Sequence, residues 1–198
     1  MELDDLTGRS GEWLRGAGPE SDIVISSRIR LARNQADFPF INLASDQDSA
    51  QIEASLKECG FAIEKDSRLL YVDVEELDGV DRQFLVERQL ISREHAESEG
   101  VRSVAIHHRE KFSLMINEED HLRIQVMQSG LDLERAWDRV DSIDDLVEQR
   151  VTYAYHERLG YLTACPTNVG TGMRVSVMLH LPALVITRQI DKTFRALG

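Results

Sequence analysis

Two hydrophobic periods alternate along this chain. Apolar residues spaced three and four apart predict a helix over residues 46–60, with Ile52, Leu56 and Cys59 on its inner side. The same spacing predicts a second helix over residues 81–95, where Phe84, Leu85, Gln89 and Leu90 lie near one face. Leu133, Ala136, Trp137, Val140, Ile143, Val147, Val151 and Ala154 predict one long helix, with Gly160 as its C-terminal stop. Alternation predicts strands over residues 69–74, 101–107, 112–116, 122–127 and 174–181, and a further strand starts at Ile23 and runs into Ser26–Arg30. Pro182-Ala183-Leu184 leads into a final helix. Residues 1–20 read as a mobile lead-in in which Trp13 and Leu14 dock one helical turn before Gly16, Gly18 and Pro19 break the chain. The expectation is an α+β fold over residues 21–198, an antiparallel sheet flanked by helices.

The polar faces of the strands carry arginine. Arg28 and Arg30 flank Ile29, and Arg123 and Gln125 alternate with Leu122, Ile124 and Val126. In the last strand Val175, Val177 and Leu179 point inward, while Arg174, Ser176, Met178 and His180 share the other face. If these strands are neighbours, their arginines form a cationic floor, and a planar guanidinium binds phosphate oxygens bidentately. Alternation alone leaves open that each arginine makes a solvated surface pair.

Charge sharpens this contrast. The 198 residues carry a formal net charge of −12, which excludes nucleic-acid binding through bulk electrostatics. Phosphate could be held only where cations gather locally. No Walker A or dinucleotide glycine loop is present. No apolar run reaches the roughly 20 residues of a membrane span. Cys59 and Cys165 do not suggest a disulfide framework, and a reducing cytoplasm is the expected location. The histidines show no zinc-ligand spacing, and Asp144, Asp145 and Glu148 read as a solvated helix face.

Three segments are more specific: Ser26-Ser27-Arg28-Ile29-Arg30-Leu31-Ala32-Arg33-Asn34, Asn117-Glu118-Glu119-Asp120-His121-Leu122-Arg123-Ile124, and Cys165-Pro166-Thr167-Asn168-Val169-Gly170-Thr171-Gly172-Met173-Arg174. In this order they resemble the phosphagen kinase family, the ATP:guanidino phosphotransferases, from about residue 22 to the end. Within it the chain looks most like the bacterial protein-arginine kinases, since the first motif arrives too early for the long N-terminal domain of phosphagen kinases. Gly160-Tyr161-Leu162-Thr163 and residues 178–184 share the wording of the bacterial enzymes.

The resemblance implies a glutamine-synthetase-like catalytic domain, incomplete at its C-terminal end, that uses ATP with Mg²⁺. It implies nucleotide contacts from Ser26, Ser27, Arg28, Ile29 and Arg30, from Arg123 and Arg174, and from Val175, Ser176, Val177 and Met178. Gln89 stands where the family often has a histidine near the nucleotide. Glu119 is implied as the catalytic carboxylate facing the guanidinium, with Cys165 beside it, while no metal-ligating residue is assigned. His121 is expected to brace the turn after Glu119, and Gly170 or Gly172 to take unusual backbone angles. The implied partners are proteins with exposed arginine, an activator protein, a Clp-type protease system and a second copy of the full-length chain; neither nucleic acid nor membrane is expected. The expected reaction marks proteins for degradation by phosphorylating arginine. A kinase for free arginine or another small guanidino compound, and a non-catalytic module that binds nucleotide or phosphoarginine, stand as alternatives.

Overall fold

The computed structural model describes residues 3–8, 10–63 and 69–197. In chain order the elements are α1 (Asp4–Thr7), β1 (Val24–Arg33), α2 (Asp46–Ile63), β2 (Leu69–Asp73), α3 (Gly79–Glu87), α4 (Arg93–Glu97), β3 (Ser103–His107), β4 (Phe112–Ile116) and β5 (Leu122–Ser129). Then follow α5 (Leu133–Glu148), β6 (Tyr155–His156), β7 (Gly160–Tyr161), β8 (Met173–Leu179), α6 (Pro182–Ile186) and α7 (Ile190–Leu197). Among the described residues six strands form one sheet in the order β2-β3-β4-β5-β1-β8, and β6 pairs with β7 separately. Every neighbouring pair in the large sheet is antiparallel, as the sequence pattern predicts.

Alternation along the strands sorts side chains between two faces. On one face Ile29, Leu31, Ala105, Leu114, Ile116, Ile124 and Val126 meet Ile52 and Leu56 of α2 and Ala136, Val140, Ile143 and Val147 of α5 in one buried cluster. On the other, Leu70, Val72, Val104, Ile106 and Met115 pack under Leu85, Leu90, Ile91 and Ala96. Each fully buried aliphatic side chain stabilises by roughly 1.5–3 kcal/mol. This second layer covers β2, β3 and β4 only. Over β5, β1 and β8 the same face turns polar, and the site lies there.

Three predicted elements differ. The helix over 81–95 is two helices, because Gln89 adopts φ +60 after α3 and Ser92 caps α4 by accepting from the His95 amide. The Leu90 amide reaches the Leu85 carbonyl and the Gln89 amide the Val86 carbonyl, a pattern that closes a helix around one left-handed residue. Glycine usually fills that place, so the sequence carried no stop signal. The long helix ends at Glu148 rather than Gly160. Val151-Thr152-Tyr153-Ala154 continues extended, with Tyr153 bridged to Gln35, and its apolar spacing matches the helical period by coincidence. Gly160 instead has φ +82 against the Gly170 carbonyl, where a Cβ would stand 2.4 Å from that oxygen. The final helix is the pair α6 and α7.

At the sheet edge, β8 presents apolar surface. Val175 faces the helical side but stays exposed, and Val177, Leu179, Val185, Ile186 and Phe194 are exposed as well. In the lead-in, residues 1, 2 and 9 lie outside the described residues, while Leu6 and Trp13 are buried against the body and Leu14 is exposed. Among the described residues no helix is long and apolar enough to cross a membrane.

Candidate active site

The strand order brings the predicted arginines together. Arg30 is the cross-strand partner of Arg174 in β8 and of Gln125 in β5, and Ala32, two residues on, faces Arg123. Arg28, Arg30, Arg123 and Arg174 therefore share the uncovered face, with Ser26, Ser176 and Met178 on the same side. Among the described residues neither Arg30 nor Arg174 makes an ion pair, although the Glu118 carboxylate, already paired with Arg123, offsets part of the charge around Arg30. Burial first, and then Arg28, Arg123 and Arg174, pull the Arg30 guanidinium down to about 10, still cationic at neutral pH. Arg28 is lowered by burial and then by Arg174 and Arg123. Crowding like charges in an acidic protein costs stability unless an anion offsets it.

One wall of this floor is the turn between β4 and β5. Asn117 takes φ +58 and pins the turn by donating from its amide to the carbonyls of Ser49 (2.9 Å) and Val101 (3.0 Å). The two glutamates that follow part company. Glu118 has a side chain 4% exposed, accepts from Ser92 Oγ, and pairs with Arg123 at 2.6 Å. Glu119 is 46% exposed and touches Arg123 at 3.3 Å. A contact that exposed is worth at most about 1 kcal/mol. Glu118 thus fixes Arg123, and Glu119 is left free to engage something else.

Asp120 and Asn34 join this wall to the loop that carries Cys165. The Asp120 Oδ1 accepts from the Asn34 amide (2.6 Å) and from the backbone N–H of Ala164 (2.7 Å). His121 braces the turn as expected: its N–H donates to Asn34 Oδ1 and its ring accepts from the Gln35 N–H (3.0 Å). The other ring nitrogen must then donate to the Pro39 carbonyl (2.8 Å), which sets a neutral tautomer. The loop is held from beneath by Arg33, whose Nη1 donates to the Thr171 carbonyl (2.9 Å) and whose guanidinium stacks 3.6 Å from the Tyr161 ring. Asp144, expected on a solvated face, is instead the buried partner of Arg33 at 2.6 Å. Gly172 has φ +62, and a Cβ there would lie 2.5 Å from the Ala32 carbonyl, so no other residue brings the loop this close to β1. Cys165 is half-buried, its Sγ 3.0 Å from Thr167 Oγ1.

Three cavities follow the floor. One of about 140 Å³ is lined by Arg30, Arg123, Arg174, Glu119, Cys165, Thr167 and Asn168. A second, of about 480 Å³, shares Arg30, Arg123, Arg174 and Glu119 and adds Glu118, Ser92 and Glu94. The third, of about 190 Å³, holds Ser26, Arg28, Gln89, Met127, Ser176, Val177 and Met178. There Arg28 donates to Gln89 Oε1 (3.0 Å) and to Ser176 Oγ (3.2 Å).

Twelve of the expected positions are in β1, β5, β8 and the adjoining turn, yet they do not share one face. Ser27 is fully buried, its hydroxyl donating to the Gly130 carbonyl and accepting from the Asp132 N–H. Ile29 lies in the core under α5, and Val175 faces a groove with Leu133 and Trp137 on the helical side. Their side chains are turned away from the floor, because alternation sends every second residue of a strand to the opposite face. The sequence reading missed Ser92, Glu118 and Asn34 as fixers of the site. Ser92 was legible as a helix cap; Asn34 and Asp120, 86 residues apart, leave no trace in one sequence.

A family described as ATP:guanido phosphotransferase, C-terminal catalytic domain, matches residues 51–198. The chain is 47% identical over 203 residues to a protein-arginine kinase of Symbiobacterium thermophilum, covering 100% of this chain and 57% of that protein. It is 47% identical over 201 residues to that of Halothermothrix orenii, with the same coverage of 100% and 57%. The chain thus spans little more than half the length of these relatives. Among solved structures, the duplicated taurocyamine kinase from Schistosoma mansoni with bound transition state analog components superposes with TM-score 0.78 at 24% identity, covering 97% of this chain and 28% of that one. Lombricine kinase gives 0.73 at 22%, covering 93% and 56%. At that identity the likeness is one of fold.

Proposed function

Because the chain belongs to the ATP:guanido phosphotransferase family, we propose that it moves the γ-phosphoryl group of ATP onto the guanidinium of arginine residues in proteins. The observation that carries this reading is the single cavity in which Glu119 and Cys165 meet Arg30, Arg123 and Arg174. Phosphoryl transfer needs alignment and charge stabilisation more than covalent chemistry from the protein. The arginines take the phosphate oxygens, and their fixed strands spare reorganisation as charge develops. The acceptor is a cation with no lone pair for attack. Glu119 accepts two hydrogen bonds from the guanidinium fork and takes its proton as the N–P bond forms and the bond from the γ-phosphorus to ADP breaks. Cys165 lies on the acceptor side of the cavity, where its sulfur helps orient the fork.

Arg28, Gln89, Ser26, Ser176 and Met178 form the adjoining end for the rest of the nucleotide. Among the described residues no group of three or more His, Cys, Asp or Glu side chains could hold a metal. A magnesium ion would arrive with the nucleotide, held by phosphate and water, as is usual for that ion. Its charge would neutralise the transferring phosphoryl group. Proteins with exposed arginine as substrates, an activator protein, a Clp-type protease system, marking for degradation, a homodimer and a cytoplasmic location belong to this reading through family resemblance.

The test is mass spectrometry for phosphoarginine after incubation with ATP and an arginine-rich protein, beside an equal incubation with free arginine. Phosphoarginine in the protein arm is expected. Product only from free arginine would assign a small-molecule kinase, and nucleotide binding without product in either arm would assign a binding module.

A further inference from the structure

The expected lead-in is built into the site. Trp13 is buried and donates from Nε1 to the Arg88 carbonyl (3.2 Å). Ala17 donates from its amide to Ser129 Oγ (3.2 Å), and the Leu131 amide returns a bond to the Pro19 carbonyl (2.8 Å). Residues 11–19 are thereby strapped across the ends of β1 and β5. The turn they touch carries Gln89 at φ +60, a conformation that side chains rarely adopt and that persists only where surroundings enforce it. Its supports are visible on every side. The Arg88 guanidinium pairs with buried Glu110, and the Gln89 carbonyl accepts from Gln125 Nε2 (2.5 Å). The Gln89 amide oxygen accepts from Arg28 (3.0 Å). A guanidinium only donates, so that contact turns the amide NH₂ away from Arg28, leaving it as a donor at the cavity.

We propose that the strap of residues 11–19 is a working part of the nucleotide cavity, with Trp13 as the positioning residue that holds the Arg88–Gln89 turn and so presents Gln89 and Arg28 to the ligand. This rests on the reading of that cavity as nucleotide-binding. Loss of the indole N–H removes a partner of the Arg88 carbonyl, lets the strained turn relax, and withdraws the Gln89 amide from Arg28.

The test is ATP affinity by calorimetry in the whole chain, in a double-mutant cycle of Trp13→Phe and Gln89→Gly. Trp13→Phe is expected to weaken binding about fivefold, the worth of one lost neutral hydrogen bond. In the Gln89→Gly background the same change should have no further effect, because the amide that links the turn to Arg28 is gone and glycine keeps the left-handed turn without support. A merely structural Trp13 would lower thermal stability equally in both backgrounds and leave affinity alone; that result, or an equal affinity loss in both, overturns the proposal. A second measurement needs no change at the strap. With Trp137→Phe, on the helical side, Trp13 is the one remaining tryptophan, and its emission should shift along the ATP binding isotherm. Unchanged emission on saturation also overturns the proposal. If the unaltered chain binds no ATP, the nucleotide reading itself fails and this inference falls with it.

Discussion

Replacing Asp144 by alanine strands two buried donors at once. Arg33 is 4% exposed, and its Nε and Nη2 reach Asp144 Oδ2 at 3.1 and 2.6 Å. Tyr153 donates its hydroxyl to Oδ1 at 2.9 Å, and burial with that neighbouring carboxylate pushes its phenol well above the ordinary value. Breaking a buried pair from one side costs about 3–5 kcal/mol, because the remaining charge stays desolvated. The Tyr153 bond adds about 1 kcal/mol. Against this, Arg33 keeps the Ala32 and Thr171 carbonyls at 2.9 Å and the Tyr161 ring. The expected loss is about 4 kcal/mol, a large part of the roughly 5–15 kcal/mol that holds a domain. With a urea slope of about 2 kcal/mol per molar, the unfolding midpoint should fall by about 2 M. The double variant Arg33→Met with Asp144→Leu should recover part of it, since apolar side chains replace the stranded charge, while the Tyr153 hydroxyl and the Ala32 and Thr171 carbonyls still lose their partners. A single-variant loss below about 1 kcal/mol at unchanged slope would refute the claim that this pair anchors the Cys165 loop.

Two other outcomes are specific. Glu119→Gln should lower turnover by about 10²- to 10⁴-fold, the usual share of a general base, and leave ATP affinity unchanged; near-normal turnover would remove Glu119 from that role. Burial holds His95 at about 4 in the fold, against 6.5 when exposed. Between these values the unfolded chain takes up the proton and the folded chain does not, so this contribution to stability is present at neutral pH and is lost as pH falls from about 6.5 to 4. His95→Gln, which can still donate to the Ser103 carbonyl, should flatten the dependence measured by urea titration across that range.

How far the sequence foretold the molecule depends on the range of the interaction. Alternation placed Arg28, Arg30, Arg123 and Arg174 on polar strand faces, and only the strand order was needed to make them one floor. The helices α2 and α5 were legible because their apolar stripes meet one core. What failed was local geometry enforced from a distance. Gln89 enters a left-handed turn because Trp13, Gln125 and Arg28, all remote in sequence, hold it there. Asp144 looked like a solvated acid because its partner is 111 residues away. Val175 read as inward by period, and it does face the helical side, but it stays exposed because burial also requires a covering element and period cannot supply that. Glu118 and Glu119 are adjacent and chemically alike; their opposite exposures follow from the turn that Asn117 fixes.

The central claim is that the face formed by β5, β1 and β8 is a phosphate floor, and calorimetric titration with ATP tests it most directly. Arg30→Ala and Arg174→Ala each remove a charge-assisted contact worth about 1.5–3 kcal/mol, or about 10- to 100-fold in affinity. Lysine at either position should restore only part of this, lacking the planar fork. Arg135→Ala removes the same charge from α5, on the other side of the sheet, and should change affinity by no more than about twofold. Wild-type affinity in both floor variants, or an equal loss in the Arg135 variant, would contradict the account.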